Sequence, residues 1–125
     1  MSEESILNFY NSMDVDILIR TKLRKNSNVR NLARKISVKL GTSIFIVHDN
    51  YLYVKPIMFL NKESNPFMAI PLIQVLYKGY TFEPVVIVKN KNIRKIIEAY
   101  SDVFPIIDED ELYKDSDVFI VYVNK

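Results

Sequence analysis

Hydrophobic and polar positions change period several times along the chain, and each change marks an element. Val15, Ile17 and Ile19 alternate with Asp16, Leu18 and Arg20, which predicts a strand over Val15–Leu23, preceded by a short helix over residues 4–12. Val29, Leu32, Ala33, Ile36 and Leu40 then follow the i, i+3, i+4, i+7, i+11 spacing of one helical face, with Asn28 placed as N-cap and Gly41 at the C′ position. Ser43–Val47 and Tyr51–Lys55 are β-branched and aromatic runs joined by Asp49-Asn50, a two-residue hairpin turn, and Pro56 ends the ladder. That turn puts Ile44, Ile46, His48, Tyr51, Tyr53 and Lys55 on one face and Phe45, Val47, Leu52 and Val54 on the other, the second being the core face.

Asn61–Asn65 reads as a polar loop, after which a helix starts at Pro66 or Pro71, buries Leu72, Ile73, Leu76 and Tyr77, and ends at Gly79. Val85–Val88 is apolar without alternation, as in a strand covered on both faces. Asn92 is placed to cap a helix carrying Ile93, Ile96, Ile97, Tyr100 and Phe104, followed by a short strand Phe104–Ile107, a helical turn over Asp108–Lys114 and a last buried strand Val118–Val123. The alternation of strand and helix in this half implies parallel pairing, and the whole chain an α/β single domain: one mixed central sheet flanked by helices.

With 125 residues the chain has the length of one ordinary domain. It has no Cys, one His and only two Gly, which removes thiolate chemistry, Cys-based metal sites, His-paired sites within one chain and a Gly-rich phosphate loop. No cofactor or metal is expected. The apolar runs are far shorter than the ~20 residues of a membrane helix, and the N-terminus Met-Ser-Glu-Glu-Ser is acidic, so no membrane association and a cytoplasmic location are expected.

The net charge of +2 conceals an asymmetry, because residues 1–62 hold ten Lys/Arg against five Asp/Glu and residues 63–125 seven against ten. Most of the excess lies in one acid-free run, Arg20, Lys22, Arg24, Lys25, Arg30, Arg34, Lys35 and Lys39. A run of this kind attracts phosphates through counterion release, and these eight residues are the candidate nucleic-acid contacts. His48-Asp49 reads as turn chemistry, and Asp108 with Glu111 three residues later as a capping arrangement.

The order of elements from Asn28 to Lys114, and the stretch Pro84–Leu112 in particular, resembles the restriction-endonuclease-like (PD-(D/E)xK) superfamily, in its archaeal Holliday-junction resolvase and Mrr-like branches. That resemblance implies a Mg²⁺-binding carboxylate on the first hairpin strand and a Glu-x-Lys on the second. In this chain Tyr53-Val54-Lys55 stands where Glu-x-Lys is expected, Ser43–Val47 holds no carboxylate, and Gln74 is placed like a Gln of several branches. Tyr53, Lys55 and Gln74 are then a vestigial site in a frame without its metal ligands. Tyr53 beside Lys55 could be reused for stacking and charge, or could simply lie on a hairpin face with its aromatics against a helix.

The expected function is accordingly a non-catalytic nuclease-fold protein that binds nucleic acid, DNA ahead of RNA, alone, as a homodimer or as the silent partner of an active enzyme. An adaptor that meets protein partners through its basic and acidic halves is the second expectation, and a metal-dependent nuclease with Asp49 or Glu63 as displaced ligand the third. If Val15–Leu23 is a strand, residues 15–89 also read as βαββαβ, a ferredoxin-like unit with an αβ extension.

Overall fold

The computed structural model describes residues 13, 15–55, 70–71, 73–74, 77–100 and 104–121. The expected N-terminal helix and the Asn61–Asn65 loop lie outside them. Among the described residues the strands are β1 (Val15–Lys22), β2 (Ile44–His48), β3 (Tyr51–Val54), β4 (Phe82–Val88), β5 (Ile106–Asp108) and β6 (Asp117–Ile120). They form one six-stranded sheet in the order β5-β4-β1-β3-β2-β6. The helices are α1 (Val29–Leu40), α2 (Arg94–Tyr100) and α3 (Glu109–Tyr113), and Ile70, Pro71, Ile73 and Gln74 are helical as well.

α1 forms where capping and periodicity place it. The Asn28 side chain accepts from the Asn31 amide, and Gly41 closes the last turn at φ 72°, its N–H donating to the Ser37 carbonyl at 2.8 Å. The hairpin pairs Ile46 with Tyr53 and His48 with Tyr51 as expected. Asp49 and Asn50 take φ values of 48° and 66°, the positive angles that a tight hairpin turn needs and that Asp and Asn tolerate.

β1 is the central strand, antiparallel to β3 on one side and to β4 on the other. Its period-2 pattern divides the sheet into two faces. Ile19 with Phe45, Leu52, Val54 and Phe82 packs against Leu32, Ala33 and Ile36 of α1 and against Ile73. Val86 and Val88 continue that face onto Ile97 of α2.

The opposite face departs from the sequence reading. Leu18, Ile46, Tyr53, Val85 and Ile87 form a second buried cluster with Leu112 of α3. Tyr53, on the hairpin face opposite the expected core, is only 1% exposed.

The second half is parallel only in part. β5 runs parallel beside β4, but β6 crosses to the far edge and pairs antiparallel with β2. There Val118 is 52% and Ile120 50% exposed, so the last strand is an edge strand and not the buried one that its apolar run implies. Pro71 is already inside a helical segment that includes Ile70, so that helix does not start at Pro71; Pro66 lies outside the described residues.

Two caps also differ. Asn90 rather than Asn92 caps the next turn, a 3-10 turn over Lys91–Ile93 that leads into α2, because its side chain accepts from the Asn92 amide at 2.9 Å. Asp108 occupies the N-cap of α3 without a side-chain capping bond. It lies opposite Val88 on the face covered by α2, and its carboxylate pairs with Arg94 at 2.9 Å instead. Bonds from Glu98, chiefly, and from Asp108 hold the Arg94 guanidinium above its ordinary pKa despite partial burial.

Candidate nucleic-acid interface

The eight basic residues of the sequence run do not act as one stripe. Arg20 points to the α3 side of the sheet, where its Nε donates to Glu83 of β4 at 2.8 Å and an Nη to the Tyr53 hydroxyl at 3.2 Å. Its guanidinium also lies 4.2 Å from the centroid of the Tyr51 ring. Burial disfavours this charge, but the bonds to Glu83 and Tyr53 outweigh it and raise the pKa. Arg20 is thus a cross-strand tie within the sheet. Lys22, on the same face of β1, and Lys25, in the following turn, are exposed.

Arg24 is a tie of another kind. Its guanidinium donates to the carbonyls of Lys78 (2.8 Å) and Gly79 (3.3 Å) and covers the Tyr80 ring at 4.5 Å. φ at Gly79 is +89°, which favours glycine, and a Cβ there would land on that guanidinium and displace it from its carbonyl partners. Ser27 completes the tie, donating to the Arg24 carbonyl at 2.7 Å with the Tyr80 hydroxyl 3.1 Å away. The entry to α1 is thereby fastened to the Tyr77–Tyr80 turn, more than 50 residues further on, with 55 between Arg24 and Gly79.

The exposed basic residues of α1 leave on two flanks. Arg30 leans over the Phe119 ring of β6 at 4.9 Å, and Arg34, one turn on, shares that side. Lys35 lies one turn from Asn31 on the other flank, with Lys39 beyond it. Between this flank and the fastened turn runs a groove of about 300 Å³ lined by Asn28, Asn31, Leu32, Lys35, Tyr77, Lys78 and Tyr80. Every charged side chain of the lining is a lysine. α1 has no acid in its first turn, so its partly positive end also faces this region uncompensated. Burial pushes the Tyr77 phenol above its ordinary pKa.

Of the three vestigial-site residues, Tyr53 is in the second core, and Gln74 is exposed on the helical segment. Lys55 follows β3; its N–H donates to the Ile44 carbonyl at 3.4 Å and its carbonyl accepts from the buried Thr42 hydroxyl. Among the described residues no carboxylate pairs with the Lys55 ammonium, and no three of His, Asp and Glu come together as a metal could require. Asp49 sits at the hairpin tip, separated from Lys55 by the full length of β3, about 13 Å at the usual strand rise. Glu63 lies outside the described residues.

Compared with known proteins, the chain matches no family model, no curated protein and no solved structure. The groove residues Tyr77, Lys78 and Tyr80, together with Asn28 and Asn31, were not legible as a site in the sequence reading. The signal they do carry is Tyr77-Lys78-Gly79-Tyr80, aromatic and basic residues alternating about a turn glycine. No helix among the described residues is long and apolar enough to cross a membrane.

Proposed function

We propose that this chain is a non-catalytic nucleic-acid-binding protein whose phosphate-contacting surface is the exposed flank of α1 with the adjoining groove. The observation that carries the reading is the meeting of Lys35 and Lys78 across a groove lined by asparagines and tyrosines, with no acid in its lining. Phosphate is the anion this surface suits: ammonium groups neutralise it, and amide and phenol donors orient it. We read residues 15–88, with strand order β4-β1-β3-β2, as ferredoxin-like with an αβ extension, the frame that suits the strand order and leaves Tyr53 as core rather than as a displaced catalytic position.

Fluorescence anisotropy with labelled DNA and RNA at rising salt tests the proposal. Binding should be measurable at low salt and weaken steeply as salt rises, each phosphate contact adding about 0.7–0.9 to the logarithmic slope. Lys35→Ala with Lys78→Ala should weaken it about tenfold or more. Absence of binding at low salt overturns the reading.

A protein-binding role is favoured by a different observation. Ile44, Val118 and Ile120 are exposed side by side on one face where β2 meets the edge strand β6. Sedimentation of the purified chain that shows a concentration-dependent dimer, abolished by Val118→Lys with Ile120→Lys, would support that role.

A further inference from the structure

We infer that the groove between α1 and the Tyr77–Tyr80 turn seats one phosphorylated nucleotide, as the unit of a single strand or as the free molecule. This deepens the nucleic-acid reading and rests on it. The first ground is size. At about 300 Å³ the groove is at the small end of ligand-binding sites, room for one nucleotide and not for the width of a duplex.

The second ground is the division of chemistry along the lining. Lys35 and Lys78 supply two ammonium groups, and Asn31 supplies an amide that makes no other side-chain bond among the described residues. Asn28 uses its carbonyl oxygen to cap α1, which leaves its amide N–H₂ turned to other partners. These donors suit a phosphate. Tyr77 and Tyr80 also line the groove, and Tyr80, which has Arg24 on one face of its ring, would offer the other to a base, a contact that does not depend on sequence.

The third ground is that the site is held in advance of any ligand. Arg24 and Ser27 fix the Tyr80 ring and hydroxyl and fasten the turn carrying Lys78 to the start of α1. A site whose two walls are bonded together loses little freedom when it is filled. A base within a duplex can reach such a groove only by leaving its stack, so an unpaired strand has the advantage.

The experiment compares a labelled oligothymidylate, the same strand annealed to oligoadenylate, and free thymidine monophosphate as titrant, at low salt. The single strand should bind about tenfold tighter than the duplex. Lys35→Ala and Tyr80→Leu should each remove that preference, whereas Arg34→Ala, on the other flank of α1, should weaken both forms equally. Equal affinity for strand and duplex in the native chain, or equal loss on both forms in Lys35→Ala, overturns the inference while leaving nucleic-acid binding intact. Binding of thymidine monophosphate alone, lost in Lys35→Ala, supports the nucleotide seat and overturns the nucleic-acid reading. Binding of none of the three overturns both. Lys35 and Lys78 are exposed, so their variants should fold, and circular dichroism checks the same for Tyr80→Leu.

Discussion

Arg20 and Glu83 face each other in register on β1 and β4, joined by a 2.8 Å ion pair between residues 63 apart in sequence. The arginine side chain is largely enclosed, with 14% of its surface exposed, whereas that of Glu83 is 42% exposed. Its other contacts are Tyr51 and Tyr53 of β3, so one guanidinium spans three strands. Replacing Glu83 by Ala should therefore cost roughly 1–2 kcal/mol in urea unfolding, limited by the solvent on the glutamate side. Arg20→Ala should cost as much or more and leave nucleic-acid affinity unchanged, which separates Arg20 from the exposed lysines of the same sequence run.

Gly79→Ala tests the fastening of the groove. The new methyl meets the Arg24 guanidinium, and the backbone must hold a left-handed φ with a side chain. Roughly 1–2 kcal/mol of stability should be lost. Affinity for nucleic acid should fall together with it, because Arg24 can no longer hold Lys78 and Tyr80 in place.

Asn28 allows stability and binding to be moved independently. Aspartate caps helices as well as asparagine, so Asn28→Asp should keep the thermal midpoint within a degree or so, whereas Asn28→Ala should cost about 1 kcal/mol. Yet Asn28→Asp brings a carboxylate into the groove lining and should weaken nucleic-acid binding several-fold in anisotropy titrations. Unchanged binding in this variant would place the phosphate elsewhere.

Stability should fall at high pH through the buried phenols. Burial pushes Tyr53 above the ordinary tyrosine value of about 10, against the pull of Arg20, and burial also raises Tyr77. A folded-state pKa above the unfolded one means that the stabilisation is whole below about pH 10 and is lost as pH rises through the folded-state values. Urea midpoints should accordingly be level in the neutral range and decline in alkali. Tyr77→Phe should make that decline shallower.

The elements held by neighbours in sequence were legible before the structure. Asn28, the i, i+3, i+4 stripe and Gly41 define α1 unaided, and the Asp49-Asn50 turn fixes the register that pairs Ile46 with Tyr53. What was not legible depends on partners far away in the chain. The apolar run at Val118–Ile120 looks the same whether its strand is central or at an edge, and only the pairing with β2 decides that. Asp108 has the spacing of a cap, but Arg94 on α2 competes for its carboxylate. Of the candidate site, Lys35 was visible as charge; its counterpart Lys78 and the part played by Arg24 arise from contacts across more than 50 residues, of which the Arg24–Lys78 separation is 54.

The position of β1 also sets the order in which this molecule can be assembled during synthesis. This strand emerges before both of its neighbours, β3, at Tyr51–Val54, and β4, at Phe82–Val88. The hairpin can close as soon as it leaves the ribosome, but the central strand stays open on one edge until residue 88 has followed. At synthesis rates of about 5–20 residues per second the apolar edge of β1 waits for seconds, long compared with hairpin closure, and in that interval the nascent chain depends on not meeting another copy of itself.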